Sequence, residues 1–310
     1  MAREVFRSKV FSVFVLAVLS SVVGTTAASS REIALTFDDA PRGDGRLFPG
    51  AERTEKLIER LRDSAVEQAA FFCNTKPMNE AGKRRIEKYA SAGHVIANHT
   101  HSHPDFHQTS LADYVADFRK AHDVLTSFST FRKWFRFPFL REGETVQKRD
   151  GMRAELERAG YRNGYVTVDN CDWYMEALVQ RALADGKRVR FDRLRRTYVR
   201  VLVDNVEFYD ALAQRTLGRS PKHVLLLHEN DLAALYVSDL VAALKQKGWK
   251  TITADDAYTD PIAAIEPDTL FLGQGRVAAI AHANGDSGPF GQWESEVALD
   301  TLFARERVFE

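Results

Sequence analysis

Two groups of side chains could do chemistry together. Asp38 and Asp39 are adjacent carboxylates closing Thr36-Phe37-Asp38-Asp39, and three histidines stand within five residues in His99-Thr100-His101-Ser102-His103. Neighbouring carboxylates repel unless a cation offsets them. Imidazoles combined with carboxylates suit zinc or a similar divalent ion. Spacing leaves the histidine pair open, since His99 with His103 and His103 with His107 are both four apart. Arg136, in Phe135-Arg136-Phe137-Pro138-Phe139, reads either as a stem packed on the surface or as a buried cation paired with an aspartate. Asp169-Asn170-Cys171-Asp172-Trp173 supplies a carboxylate able to orient an imidazole, beside a broad indole face. His228 ends Leu225-Leu226-Leu227, and period-two alternation sends Leu226 and His228 to one face, an apolar contact beside a proton donor.

These residues share a position in the pattern. Short apolar, β-rich segments recur at Ile33–Phe37, Ala69–Cys73, Val95–Asn98, Trp134–Phe137, Gly164–Val168, Val224–Leu227 and Trp249–Thr253. Helical periodicities lie between them, as in Leu111, Tyr114, Val115, Phe118, His122 and Leu125, with Ser110 as N-cap. Pro104 is placed to open a helix, which would leave His99 and His103 in the loop ahead of it. Strand and helix alternating in this way predict an α/β fold with parallel strands and right-handed crossovers. In such a sheet every strand C-terminus opens on one face, so the five polar clusters that follow five strands converge there. Residues 175–220 hold no strand pattern and read as inserted helices. Beyond Pro261 the pattern loosens into glycine-rich polar stretches before a short helical end from Glu294.

The 310 residues are 45% hydrophobic and 28% charged, with 43 basic and 43 acidic residues, as in a soluble globular chain. A formal net charge of zero offers no basic field for nucleic acid. The basic run Lys187–Arg196 interleaves with Val189, Phe191 and Leu194 and reads as a solvated helix face. At the N-terminus, Arg3, Arg7 and Lys9 precede an apolar run from Val10 to Leu19 and then small residues through Ala28. That is the form of a secretory leader over 1–28, and the run is too short for a stable membrane span. The expected location is therefore periplasmic or secreted. Export would admit a Cys73–Cys171 disulfide, and two buried free thiols are an equal alternative.

Taken in order, TFDD (36–39), HTHSH (99–103), RFPF (136–139), DNCDW (169–173) and LLLH (225–228) resemble the motifs of the polysaccharide deacetylases that share the NodB-type domain, carbohydrate esterase family four. The resemblance implies a distorted (β/α)7-type barrel over 31–261, with a helical insert at 175–220 and a C-terminal extension at 262–310. It implies a divalent metal, zinc first with cobalt or nickel as alternatives, held by Asp39, His99 and His103. It makes Asp38 the catalytic base held by Arg136, and His228 the general acid oriented by Asp172. Phe139, Trp173 and Leu226 become substrate contacts, with an oxyanion donor at a backbone N–H near Phe139. The expected reaction is hydrolysis of acetyl groups on an acetylated polysaccharide or oligosaccharide, foremost N-deacetylation of N-acetylglucosamine-containing glycans. O-deacetylation of a xylan-like chain, and non-catalytic glycan binding on the same fold, are the alternatives. Leu140 stands where the family often has glycine, and neither the insert nor the extension has a motif counterpart.

Overall fold

The computed structural model describes Met1, residues 31–271 and residues 273–310, so the leader expected over 1–28 lies, apart from Met1, outside the described residues. Among the described residues seven strands form one parallel sheet: β1 (Arg31–Ala40), β2 (Ala70–Cys73), β3 (Val95–Asn98), β4 (Phe131–Phe135), β5 (Arg162–Asn163), β6 (His223–His228) and β7 (Trp249–Thr251). The order is β5-β4-β3-β2-β1-β6, with β7 pairing Arg31–Ile33 of β1 ahead of the stretch that joins β2. β2 and β3 are buried at every residue, as strands covered on both faces must be.

The helices are α1 (Gly50–Asp63), α2 (Glu80–Ser91), α3 (Leu111–Leu125), α4 (Val146–Arg158), α5 (Asp172–Ala184), α6 (Phe191–Leu217), α7 (Asp231–Gln246), α8 (Ala254–Ala257), α9 (Gly275–Ala283) and α10 (Glu296–Arg305). Ser110 caps α3 by accepting from the Asp113 N–H, and the helix buries Tyr114, Phe118, Ala121 and Leu125 at helical spacing. Residues 175–220 are almost wholly helical, in α5 and α6. The extension lies against them, α9 on α6 and α10 on α5. Among the described residues no helix is long and apolar enough to cross a membrane.

The expected strand Gly164–Val168 is divided. Arg162 and Asn163 pair with β4 at one edge, whereas Val168 bridges to Leu225 of β6 at the other. The chain between them joins the two edges, and the sheet curls into a distorted (β/α) barrel, the predicted fold class. Gly164 sits at this crossing because a Cβ there would fall 2.4 Å from the Phe72 ring.

Two local expectations are corrected. Pro104 opens no helix, and the first helical residue is Leu111. Asp105 forms a turn instead, its carboxylate accepting from the His107 N–H (3.0 Å) and its carbonyl from the Thr109 hydroxyl (2.8 Å). The basic run is helical only from Phe191, because Arg188 and Arg190 exchange backbone hydrogen bonds with the chain end at Glu310 and Val308. Cys73 and Cys171 are both buried and unbonded.

Candidate active site

The strand ends that carry polar motifs converge on one open pocket of about 680 Å³. Asp38, Asp39, His99, His103, Phe139, Asp169, Trp173, Leu226 and His228 all line it. Arg136 and Asp172 stand behind this lining, each bonded to one of its members.

Asp38 is buried and lies directly across from His228 in the β1–β6 register. The Arg136 guanidinium donates to Asp38 Oδ1 at 2.7 Å and to the Thr36 hydroxyl at 2.8 Å. Its remaining donors reach the Gly164 carbonyl (2.7 Å) and the Tyr258 hydroxyl (2.9 Å), and its plane lies 3.8 Å from the centre of the Phe72 ring. This buried fork is satisfied on every side, so Arg136 is no surface stem. Thr36 opens the first motif without a role assigned to it, and Gly164 and Tyr258 lie outside the motifs, since hydroxyls and a carbonyl carry no signal of their own.

Asp39, His99 and His103 present ligand atoms that all lie within 4.8 Å of one another. His103 Nε2 is 3.4 Å and His99 Nε2 3.8 Å from Asp39 Oδ1. His99 Nδ1 lies 2.8 Å from the Arg136 carbonyl, which can only accept, so Nδ1 carries the proton and Nε2 keeps a lone pair facing Asp39. Burial, reinforced by the neighbouring His99, draws the His103 pKa down to about 4 and keeps that ring neutral. Two imidazole lone pairs and a carboxylate fit a divalent ion of the zinc type, and three protein ligands leave positions open. His107 is not among the residues whose ligand atoms converge there.

Backbone strain is concentrated here. Of eight non-glycine residues with positive φ among the described residues, five are Asp39, Thr100, His103, Phe139 and Leu140, all in the loops that aim these side chains. Leu140 adopts φ 52°. Its N–H is bonded to the Phe137 carbonyl at 3.0 Å, whereas the Phe139 N–H has no acceptor among the described residues. Phe139 packs edge-on against His103, with ring centroids 4.6 Å apart.

His228 Nδ1 donates to Asp172 Oδ1 at 2.6 Å, and the His228 N–H donates to Asp172 Oδ2 at 2.9 Å. Asp172 is fully buried as the first residue of α5, and Asn230 donates to it at 3.1 Å. Burial pulls the imidazole pKa down, but Asp172, followed by Asp39 and Asp38, outweighs it and raises it to about 9. Leu226 and His228 share a face of β6, as alternation requires, and Trp173 and Phe139 are exposed at the rim. The residue after His228, Glu229, is fully buried and accepts from Arg85 (2.7 Å), Arg53 (3.2 Å), Tyr89 (3.0 Å) and the Arg42 N–H (2.9 Å). It ties α1, α2 and the loop after β1 to the end of β6.

Residues 25–164 match the family model described as polysaccharide deacetylase. A chitin deacetylase of Colletotrichum lindemuthianum is 30% identical over 235 residues, covering 74% of this chain and 79% of that protein. The chain belongs to the polysaccharide deacetylase family. A peptidoglycan-N-acetylglucosamine deacetylase of Bacillus cereus is 28% identical over 146 residues, 46% of each chain, so the match spans about half the length of that relative. Among solved structures, a peptidoglycan N-acetylglucosamine deacetylase superposes with a TM-score of 0.51 at 22% identity, over 74% of this chain and 89% of the other. A family-four carbohydrate esterase pseudoenzyme from Bacillus anthracis reaches the same score at 16% identity, over 74% and 66%. At these identities the likeness is one of fold alone, and it extends to an inactive relative.

Proposed function

We propose that this protein is a metal-dependent N-deacetylase of N-acetylglucosamine-containing glycan, of the peptidoglycan or chitin type. The observation that carries the reading is the pairing of Asp38 with Arg136 and of His228 with Asp172, on residues facing each other across β1 and β6, beside the Asp39–His99–His103 set. A divalent ion bound by those three residues, zinc first and cobalt or nickel as alternatives, would polarise the acetyl carbonyl and acidify a water.

The chain's own residues account for the rest. Arg136 occupies Asp38 Oδ1, which leaves Oδ2 to take the proton of the attacking water. The unpaired Phe139 N–H is available to the carbonyl oxygen as negative charge develops on it. Asp172 holds the Nδ1 proton of His228, so the imidazolium presents Nε2–H to the departing amine. Leu226, Trp173 and Phe139 would border the acetyl group and the sugar ring. The reading includes export by a leader over 1–28, to the periplasm or the medium, with 31–261 as the catalytic domain.

Purified protein offered N-acetylglucosamine oligomers and acetylated xylan oligomers, with and without chelator, tests this. Acetate release is expected from the N-acetyl chains, abolished by chelator, and reduced about 10²–10⁴-fold in Asp38→Asn. Undiminished release by that variant refutes the mechanism, and release confined to xylan favours the esterase.

A further inference from the structure

The two segments without motif counterparts meet at the pocket. Glu294, two residues ahead of α10, lines it together with Gln274, just before α9. Tyr209 of α6 donates to Glu294 Oε1 at 2.5 Å, and Gln274 donates to Oε2 at 2.7 Å. The chain closes tightly behind this carboxylate, since a Cβ at Gly291 would fall 2.3 Å from Glu294 Oε2. The preceding Trp293 is held at φ 57°, with its indole donating to Asp204 of α6 at 3.2 Å. Insert and extension thus cooperate to hold one carboxylate in a defined place.

Its neighbour across the pocket is Asp169, nine-tenths buried. Asp169 Oδ1 accepts only from the adjacent Asn170 N–H (2.8 Å), and Oδ2 accepts no hydrogen bond among the described residues. Every other carboxylate of the site has a cation: Asp38 has Arg136, Asp39 has Arg42 at 3.9 Å, and Asp172 has His228. Among the described residues Glu294 has none, and the one cation near Asp169 is His228, already engaged by Asp172. Burial pushes both carboxyls above their ordinary range, and the Glu294 charge pushes Asp169 further. Two carboxyls in one pocket, one of them lacking any side-chain donor, are suited to a ligand that brings a positive charge with N–H donors.

We propose that Glu294, paired with Asp169, is a specificity-determining residue that holds the ammonium group of an already deacetylated sugar, so that the pocket favours partly deacetylated chains. The inference rests on the deacetylase reading, because that reaction is what makes such amines.

Two measurements test it. The first is acetate release from a fully N-acetylated chitotetraose and from a tetramer bearing a single acetyl group, for the wild type, Glu294→Gln and Asp169→Asn. The wild type should prefer the mono-acetylated chain, and that preference should fall about tenfold in either variant, as for loss of a charged hydrogen bond. The second is calorimetric binding of the fully deacetylated tetramer, which undergoes no reaction. Its affinity should fall about tenfold in Glu294→Gln, with a weaker dependence on salt than in the wild type. Equal binding of acetylated and deacetylated tetramers by the wild type overturns the proposal, as does a preference unchanged in both folded variants. Absence of acetate from every chain refutes the deacetylase reading instead, and the calorimetric result then still decides whether the pair binds an amine.

Discussion

Replacing Asp172 by Asn separates the charge on this residue from its shape. The wild-type His228 imidazole holds its proton to about pH 9 against an ordinary 6.5. At 1.36 kcal/mol per pH unit that difference is worth about 3 kcal/mol, net of the burial that opposes it. Asn keeps one oxygen to accept from the ring or from the His228 N–H, but it removes the first of the forces raising the pKa. The sign follows from linkage: a pKa raised in the folded state adds stability that is fully present below about 6.5 and is lost as pH rises through about 9. In metal-free protein, NMR titration of the His228 ring should show the wild type changing charge near pH 9, and Asp172→Asn at or below 6.5. Denaturant unfolding at pH 6.5 should find the variant less stable by about 3 kcal/mol, and the gap should narrow toward pH 10 as the wild-type imidazolium is lost. A ring that still titrates near 9 in Asp172→Asn refutes the assignment of Asp172 as its partner, and with it the route by which His228 stays a proton donor at neutral pH.

Arg136→Met leaves Asp38 and the Gly164 carbonyl buried without their donor, and urea denaturation should register a loss of about 3–5 kcal/mol, whereas a loss under 1 kcal/mol would show that water replaces the guanidinium. Zinc at about a thousand times its dissociation constant should stabilise the wild type by about 4 kcal/mol in thermal shift; His103→Ala should abolish that gain and His107→Ala retain it, and the reverse order would move the metal site. Ala65, exposed after the end of α1, sits at φ 56°, so Ala65→Gly should raise the melting temperature through a gain of about 0.5–1 kcal/mol; a fall would mean that unfolded-state entropy dominates there.

The polar clusters could be read from the chain because parallel strands impose a common exit. Each strand betrays itself by a short apolar run, and whatever polar group follows it must emerge on the same face. A common exit needs no distances, and it brings Asp38, Asp39, the histidine run, Asp172 and His228 together. Where the signal is not periodic, the chain gives no such guide. The division of the fifth strand between two sheet edges depends on Gly164 passing Phe72, and the turn after Pro104 depends on hydrogen bonds accepted by Asp105 that compete with a helix start.

Sequence alone determined the class of fold, the identity of the chemical groups and the face on which they stand, because apolar periodicity and motif order are properties of the chain itself. Only the tertiary structure shows His99, rather than His107, close to His103 and Asp39, and only it reveals Thr36, Tyr258 and the Gly164 carbonyl around Arg136, and the path by which Glu294 enters the pocket. The contacts around Arg136 join residues 28 to 122 positions apart, and the strained loops depend on single backbone angles in the left-handed region; neither leaves a trace in local composition.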